Sequence, residues 1–182
     1  METHLALLRG INVSGQKLIK MEDLRKLLAD EGFDNVQTYI QSGNIIFDSS
    51  EKVKAKVADK IKKLISAHYG FDVSILMLNH ADLAKAIENN PFIKEKDINL
   101  KQVYVTFLSD KPSPENIEKF AATNIGNDIA ILSDDVMYLK YFDSAANTRL
   151  SNVLIENKLK VTATTRNWNT TLKLMDMLEA RK

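Results

Sequence analysis

Apolar residues along this chain fall into short blocks that alternate between the two-residue period of strands and the 3.6-residue period of helices. The block His4–Leu8 is a continuous apolar run ended by Arg9-Gly10, and it predicts a buried strand. Met21, Leu24, Leu27 and Leu28 then share one helical stripe, with charges opposite, and predict a helix over 21–31. Gly32-Phe33 reads as a left-handed stop with its hydrophobic contact. Two β-rich runs follow, Val36–Gln41 and Asn44–Phe47, around Ser42-Gly43. Because Gly43 takes positive φ without a Cβ clash, the pair predicts a tight hairpin. Ser50 is the expected N-cap of a helix carrying Val53, Val57, Ile61, Leu64 and Ile65, stopped by Gly70-Phe71. Val73–Leu78 predicts a strand. Asn79 predicts the cap of a short helix through Ile87, ended by Asn89-Asn90-Pro91.

The second half repeats this order. Lys101–Leu108 predicts a strand, and Ser113-Pro114 opens a helix with Ile117, Phe120 and Ala121. Asp128–Leu132 and Val136–Phe142 predict a hairpin around Ser133-Asp134-Asp135. Leu150, Val153 and Leu154 mark a helix, and Val161–Thr164 a short strand. A last helix carries Trp168, Leu172, Met175 and Leu178 on one face. Each half therefore reads strand, helix, strand, strand, helix, strand. The expected fold class is α+β, with tandem duplicated ferredoxin-like (βαββαβ) halves, antiparallel sheets and a C-terminal helix. The repetition lies in the order of elements and not in the residues. The polar stretch Asn89–Leu100, with Pro91 and the charge run Lys94-Glu95-Lys96-Asp97, places the boundary. The expected domains are an N-terminal half, 1–90, and a C-terminal half with the terminal helix, 91–182, packed on the first.

Composition narrows the classes. Of 182 residues, 45% are hydrophobic, enough for a core. Lys plus Arg is 25 and Asp plus Glu is 24, a net charge of +1. That balance argues against a dedicated nucleic-acid or membrane-surface protein, while leaving room for a local basic patch. With no Cys, disulfides, Cys-based zinc sites and a thiol nucleophile are excluded. METHLALLRG lacks a signal-peptide pattern and no apolar run is long enough for a membrane helix, so a soluble cytoplasmic protein is expected.

Topology supplies the candidate site. In a ferredoxin-like unit the first two strands run the same way, so the exit of the first lies at the same end as the hairpin tip. Arg9, Gly10 and Asn12 are then expected near Tyr39, Gln41, Ser42, Gly43 and Asn44, with Lys17 as a second charge. Amides, a hydroxyl, glycine N–H groups and a fixed cation suit a carboxylate, a phosphate or another small anionic ligand. The same residue types are also the usual turn formers, and that plainer reading competes. A second cluster is Thr164–Thr170. There Thr165 or Asn167 is the expected cap of the last helix, Arg166 would reinforce an anion at its positive end, and Asn169 lies in its first turn. Trp168, on the apolar stripe, reads as core more readily than as a stacking platform.

Other residues carry less. His4, His68 and His80 show no ligand spacing, so no metal is expected, and His68 reads as a helix-end histidine. Asp134-Asp135 reads as turn chemistry, and Asp82 and Glu88 as a solvated helix face. Tyr104 and Phe107 fall on opposite faces of their strand, without the RNP1 pattern of an RNA-binding sheet. No Walker loop, GxSxG or GxGxxG is present, and the sequence leaves the cofactor unknown.

LLRGINV, the helix MEDLRKLLADEGF, the hairpin VQTYIQSGNIIF and the late TTRNWNT together resemble a widespread bacterial family, the domain of unknown function family 1697. Within that family the loop after RGINV commonly carries paired glycines and a Lys. Here Ser14-Gly15-Gln16-Lys17 keeps one glycine. The resemblance implies the duplicated ferredoxin-like architecture, and it implies no activity, substrate or catalytic residue. The leading expectation is a binding module for a small polar or anionic ligand, nucleotide- or phosphate-like. One alternative is an enzyme on a phosphorylated or carboxylated metabolite, for which Tyr39 is the nearest titratable group and no general base is in view. The other is a protein-interaction module.

Overall fold

The structure is a computed structural model, and it describes residues 1–181. The chain forms two compact units. The first comprises Met1–Ala84 together with the end of the chain from Leu174, and the second is Lys85–Lys173. The division falls inside a helix, between Ala84 and Lys85.

In the first unit, β1 (Glu2–Leu8), α1 (Met21–Asp30), β2 (Asp34–Tyr39), β3 (Asn44–Ser49), α2 (Lys54–Tyr69) and β4 (Ile75–Leu78) follow in order, and α3 (His80–Glu88) leads out. The strands form one antiparallel sheet in the order β2-β3-β1-β4. Both β1 and β2 are antiparallel to β3, so they run the same way. Ala6, Leu8, Ile45 and Phe47 pack with Leu24 and Leu28 of α1 and Val57, Ile61 and Ile65 of α2. Each of the Leu, Ile, Val and Phe side chains contributes about 1.5–3 kcal/mol by leaving water. The opposite sheet face, with Leu5, Leu7, Ile46 and Leu76, is buried as well.

In the second unit, β5 (Val103–Leu108), α4 (Pro114–Ala121), β6 (Ile129–Ser133), β7 (Val136–Lys140), α5 (Asn152–Leu159) and β8 (Ala163–Asn167) repeat the order and the strand arrangement, β6-β7-β5-β8, again antiparallel. Short 3-10 turns at Phe92–Lys94 and Leu100–Gln102 precede β5. The helix α6 (Trp168–Glu179) ends the described chain. Leu108, Met137, Leu139, Ile155 and Leu159 form this unit's core.

Local chemistry explains most boundaries. Gly32, at φ +85°, donates to the Ala29 carbonyl at 3.1 Å, and the Phe33 N–H donates to that of Leu28 at 3.1 Å. This double closure satisfies two carbonyls at the end of α1 and turns buried Phe33 into the core. Ser113 and Ser151 cap α4 and α5 by accepting from the Asn116 and Leu154 N–H groups.

Several expectations are corrected. Ser50 does not cap α2. The strand β3 runs on to Ser49, paired with Glu2, and the helix starts only at Lys54. The Glu51 carboxylate accepts from the Val53 N–H instead, at 2.8 Å. The hairpin turn is not Ser42-Gly43 alone but Ile40–Gly43, because Tyr39 pairs with Asn44. Asp82 is half-exposed, but it also has a structural duty. It accepts from the Asn79 N–H at 2.8 Å, Asn79 accepts from the Asp82 N–H at 3.0 Å, and Lys54 pairs with its carboxylate. This reciprocal box starts α3. Finally, Thr164–Asn167 is strand, since Tyr104–Phe107 of β5 pairs with it residue for residue.

Candidate functional site

The end of the first sheet is built by three segments. As β1 leaves the sheet, the Leu8 N–H donates to the Gly43 carbonyl at 2.8 Å and the Arg9 N–H to the Ser74 carbonyl at 2.9 Å. Arg9 thus sits between the hairpin turn and the entry to β4. Gly43 has φ +82°, and a Cβ there would stand 2.7 Å from the Leu8 Cβ and 2.9 Å from the Ile11 Cδ1. Only glycine allows the two chains to come this close.

The loop 10–20 is tied to the same turn by Asn12. Its Nδ2 donates to the Gln41 carbonyl at 2.8 Å and to that of Ile19 at 2.9 Å, and its Oδ1 accepts from the Ile19 N–H at 2.8 Å. Within the loop, the Gln16 N–H donates to Val13 at 2.9 Å around Ser14 and Gly15, both at positive φ, so the tip is a miniature hairpin. Lys17 is exposed, and its Nζ reaches the Asp72 carbonyl at 2.6 Å.

Each sequence-predicted residue can now be placed. Arg9, Gly10, Asn12, Lys17, Tyr39, Gln41, Ser42, Gly43 and Asn44 belong to segments that meet at this one end. Their duties differ. Asn44 is fully buried and donates to the Tyr39 carbonyl and the Ser42 Oγ, each at 2.9 Å, so it shapes the turn from inside. Asn12 is the clamp just described. Gln41 and Gly10 are exposed, while Arg9, Tyr39 and Ser42 are half-buried.

The second cluster lies in the second unit. Arg166 is a strand residue of β8, not part of the helix start, and it is buried. Its Nη1 donates to the Thr164 Oγ1 at 2.8 Å and the Thr165 carbonyl at 3.0 Å. Burial draws its guanidinium down to about 10. Asn167 is the cap of α6, its Oδ1 accepting from the Thr170 N–H at 2.8 Å. Trp168 is buried and Asn169 exposed. Capping takes up one of the N–H groups that an anion at this helix end would use.

Sequence reasoning passed over Ile40. This β-branched residue has φ +50° and is 49% exposed. No pattern of hydrophobic spacing marks a left-handed residue that is not glycine, asparagine or aspartate.

A concave surface of about 490 Å³ elsewhere in the first unit is lined by Glu31 and by α2 residues including Lys56, Lys60 and Lys63, and by none of the predicted site residues. Among the described residues, no group of three or more His, Asp or Glu side chains is placed to hold a metal. No helix among them is long and apolar enough to cross a membrane.

Residues 1–138 match the family described as protein of unknown function (DUF1697). The chain belongs to that family. The match takes in the whole of the rim around Arg9 and stops before β8, so TTRNWNT lies beyond it. Among solved structures, the chain is similar to one described as the structure of conserved bacterial protein SP0830 from Streptococcus pneumoniae. The two are 26% identical with a TM-score of 0.76, over 97% of this chain and 98% of that one. No curated protein matches the chain. Neither description names an activity, and none is established for the family.

Proposed function

We propose that this DUF1697 protein binds a small anionic ligand, phosphate- or nucleotide-like, at the rim where β1 leaves the first sheet. What carries the reading is the Leu8–Gly43 hydrogen bond together with the Asn12 clamp, which hold Arg9, the loop 10–20 and the hairpin turn at one place. Arg9 and Lys17 supply cationic donors, and Gln41 and Ser42 supply neutral ones. Asn12 and Asn44 act by fixing the turn rather than by touching the ligand. Arg166, Asn167, Trp168 and Asn169 belong to the second unit, and the proposal does not draw on them. We also propose that each half is a ferredoxin-like unit and that the two arose by duplication. The shared element order and strand order support this.

Titration calorimetry with inorganic phosphate, AMP and ATP tests the binding reading. Arg9→Ala and Lys17→Ala are each expected to weaken a bound phosphate compound by about tenfold or more, the loss of a charge-assisted hydrogen bond. Absence of binding by all three compounds, or binding that neither substitution changes, would remove the site.

A further inference from the structure

The rim is not only polar. Val13 is 59% exposed, Leu18 65% and Ile40 49%, and all three stand on the two tips that Asn12 ties together. Scattered exposed aliphatic residues need no explanation, but these three stand on two turns that a side-chain hydrogen bond joins. Ile40 adds an independent sign. A β-branched side chain at φ +50° is strained, and such strain gathers at binding sites more than elsewhere.

The two tied segments carry cations, and the neighbouring segment that leads into β4 adds one exposed carboxylate, Asp72. Residues 9–20 and 36–44 contain Arg9, Lys17 and Lys20 and no Asp or Glu. Asp72 meets the loop through its main-chain carbonyl, as the acceptor for Lys17. An ammonium has three donors, and that bond uses one. Cations beside exposed aliphatic groups complement an anion joined to an apolar body.

We propose that the ligand of this rim is an amphiphilic anion, a phosphate or carboxylate ester carrying an aliphatic portion that lies against Val13, Leu18 and Ile40. This rests on the anion-binding reading above and adds the class of ligand. The cationic groups hold the head, and the aliphatic tips shield the tail from water.

A series of alkyl phosphates from methyl to hexyl, titrated into the full chain, is the test, with hexanol as the uncharged control. Affinity is expected to rise about twofold per methylene, half the full transfer value, because a rim covers one side of a tail. Hexanol should not bind detectably. In the double variant Val13→Ser, Leu18→Ser, the ratio of hexyl to methyl affinity should fall close to one. Both positions are exposed, and circular dichroism checks that the variant is folded. Phosphates that bind with no dependence on chain length would overturn the amphiphile and leave the anion site standing. So would a dependence that the double variant keeps. If no phosphate of any length binds, both proposals fall.

Discussion

A Cβ placed on Gly43 would lie 2.7 Å from the Cβ of Leu8. The Leu8 Cβ is fixed by its own backbone, so at this contact no flexible side-chain end can move aside. Gly43→Ala must therefore push the hairpin turn off β1 as well as force alanine into the left-handed region. The expected cost is about 2–4 kcal/mol, summed from the conformational penalty and the overpacking. Gly10→Ala is the matched control. Gly10 has φ +70° but no atom within 4 Å of an added Cβ, so only about 1–2 kcal/mol should be lost. Urea unfolding of the two variants measures the difference, and equal losses would contradict the close approach.

Asn12 is expected to matter more for stability than for direct ligand contact. Asn12→Ala leaves the Ile19 N–H without its acceptor, and Ile19 is buried. It also releases the Gln41 and Ile19 carbonyls. A loss of about 2–3 kcal/mol is expected in chemical denaturation. Asn12→Asp keeps the acceptor for Ile19 but sets a carboxylate against two carbonyl oxygens, so it should rescue little. Full rescue would show that the donors are idle.

Ile40→Asn should stabilise the protein. Asparagine tolerates φ near +50° better than a β-branched residue does, and the side chain is half outside already. A gain of about 0.5–1 kcal/mol in thermal or urea unfolding is expected. The same substitution should weaken hexyl phosphate more than methyl phosphate if Ile40 faces the tail.

Asp48 gives the molecule an acid-sensitive tie. Burial raises its carboxyl, but hydrogen bonds from Thr3 and Asn35 and the charge of Arg181 outweigh it, and the group ends below its ordinary 3.8. Thr3 Oγ1 stands at 2.6 Å, Asn35 Nδ2 at 2.7 Å and Arg181 Nη1 at 3.4 Å. A carboxyl lowered by folding adds stability that is fully present above the unfolded value. That stability is lost as pH falls through the folded value. The tie should therefore hold at neutral pH and fail only below about pH 4. Asp48→Asn should lower stability at pH 7 and flatten its fall between pH 4 and 2, read from urea midpoints across that range. An unchanged acid slope would mean that Asp48 is not paired in solution.

The local elements were legible because their causes are local. The stripe of Met21, Leu24 and Leu28 and the stop at Gly32-Phe33 lie within a few residues of one another, and each needs only its own turn of chain. Chain direction could be reasoned out in the same way. Two strands that run alike must leave the sheet at the same end, and chain order alone therefore brings Arg9 and Gly43 together. Family membership was likewise legible in short stretches such as LLRGINV and VQTYIQSGNIIF, which lie inside the matched residues 1–138. The tertiary structure decided what each polar residue does once there. Asn12, Asn44 and Gln41 look alike as amides in a sequence, yet one is a clamp, one an internal brace and one exposed, because a side chain's duty depends on which carbonyl lies within 3 Å of it. Arg166 shows the same limit. Its neighbours suggested a helix start, but pairing with β5, some sixty residues away in the chain, made it a buried strand residue. Spacing along a chain records which face a residue shares, and only packing between distant segments fixes what that face meets.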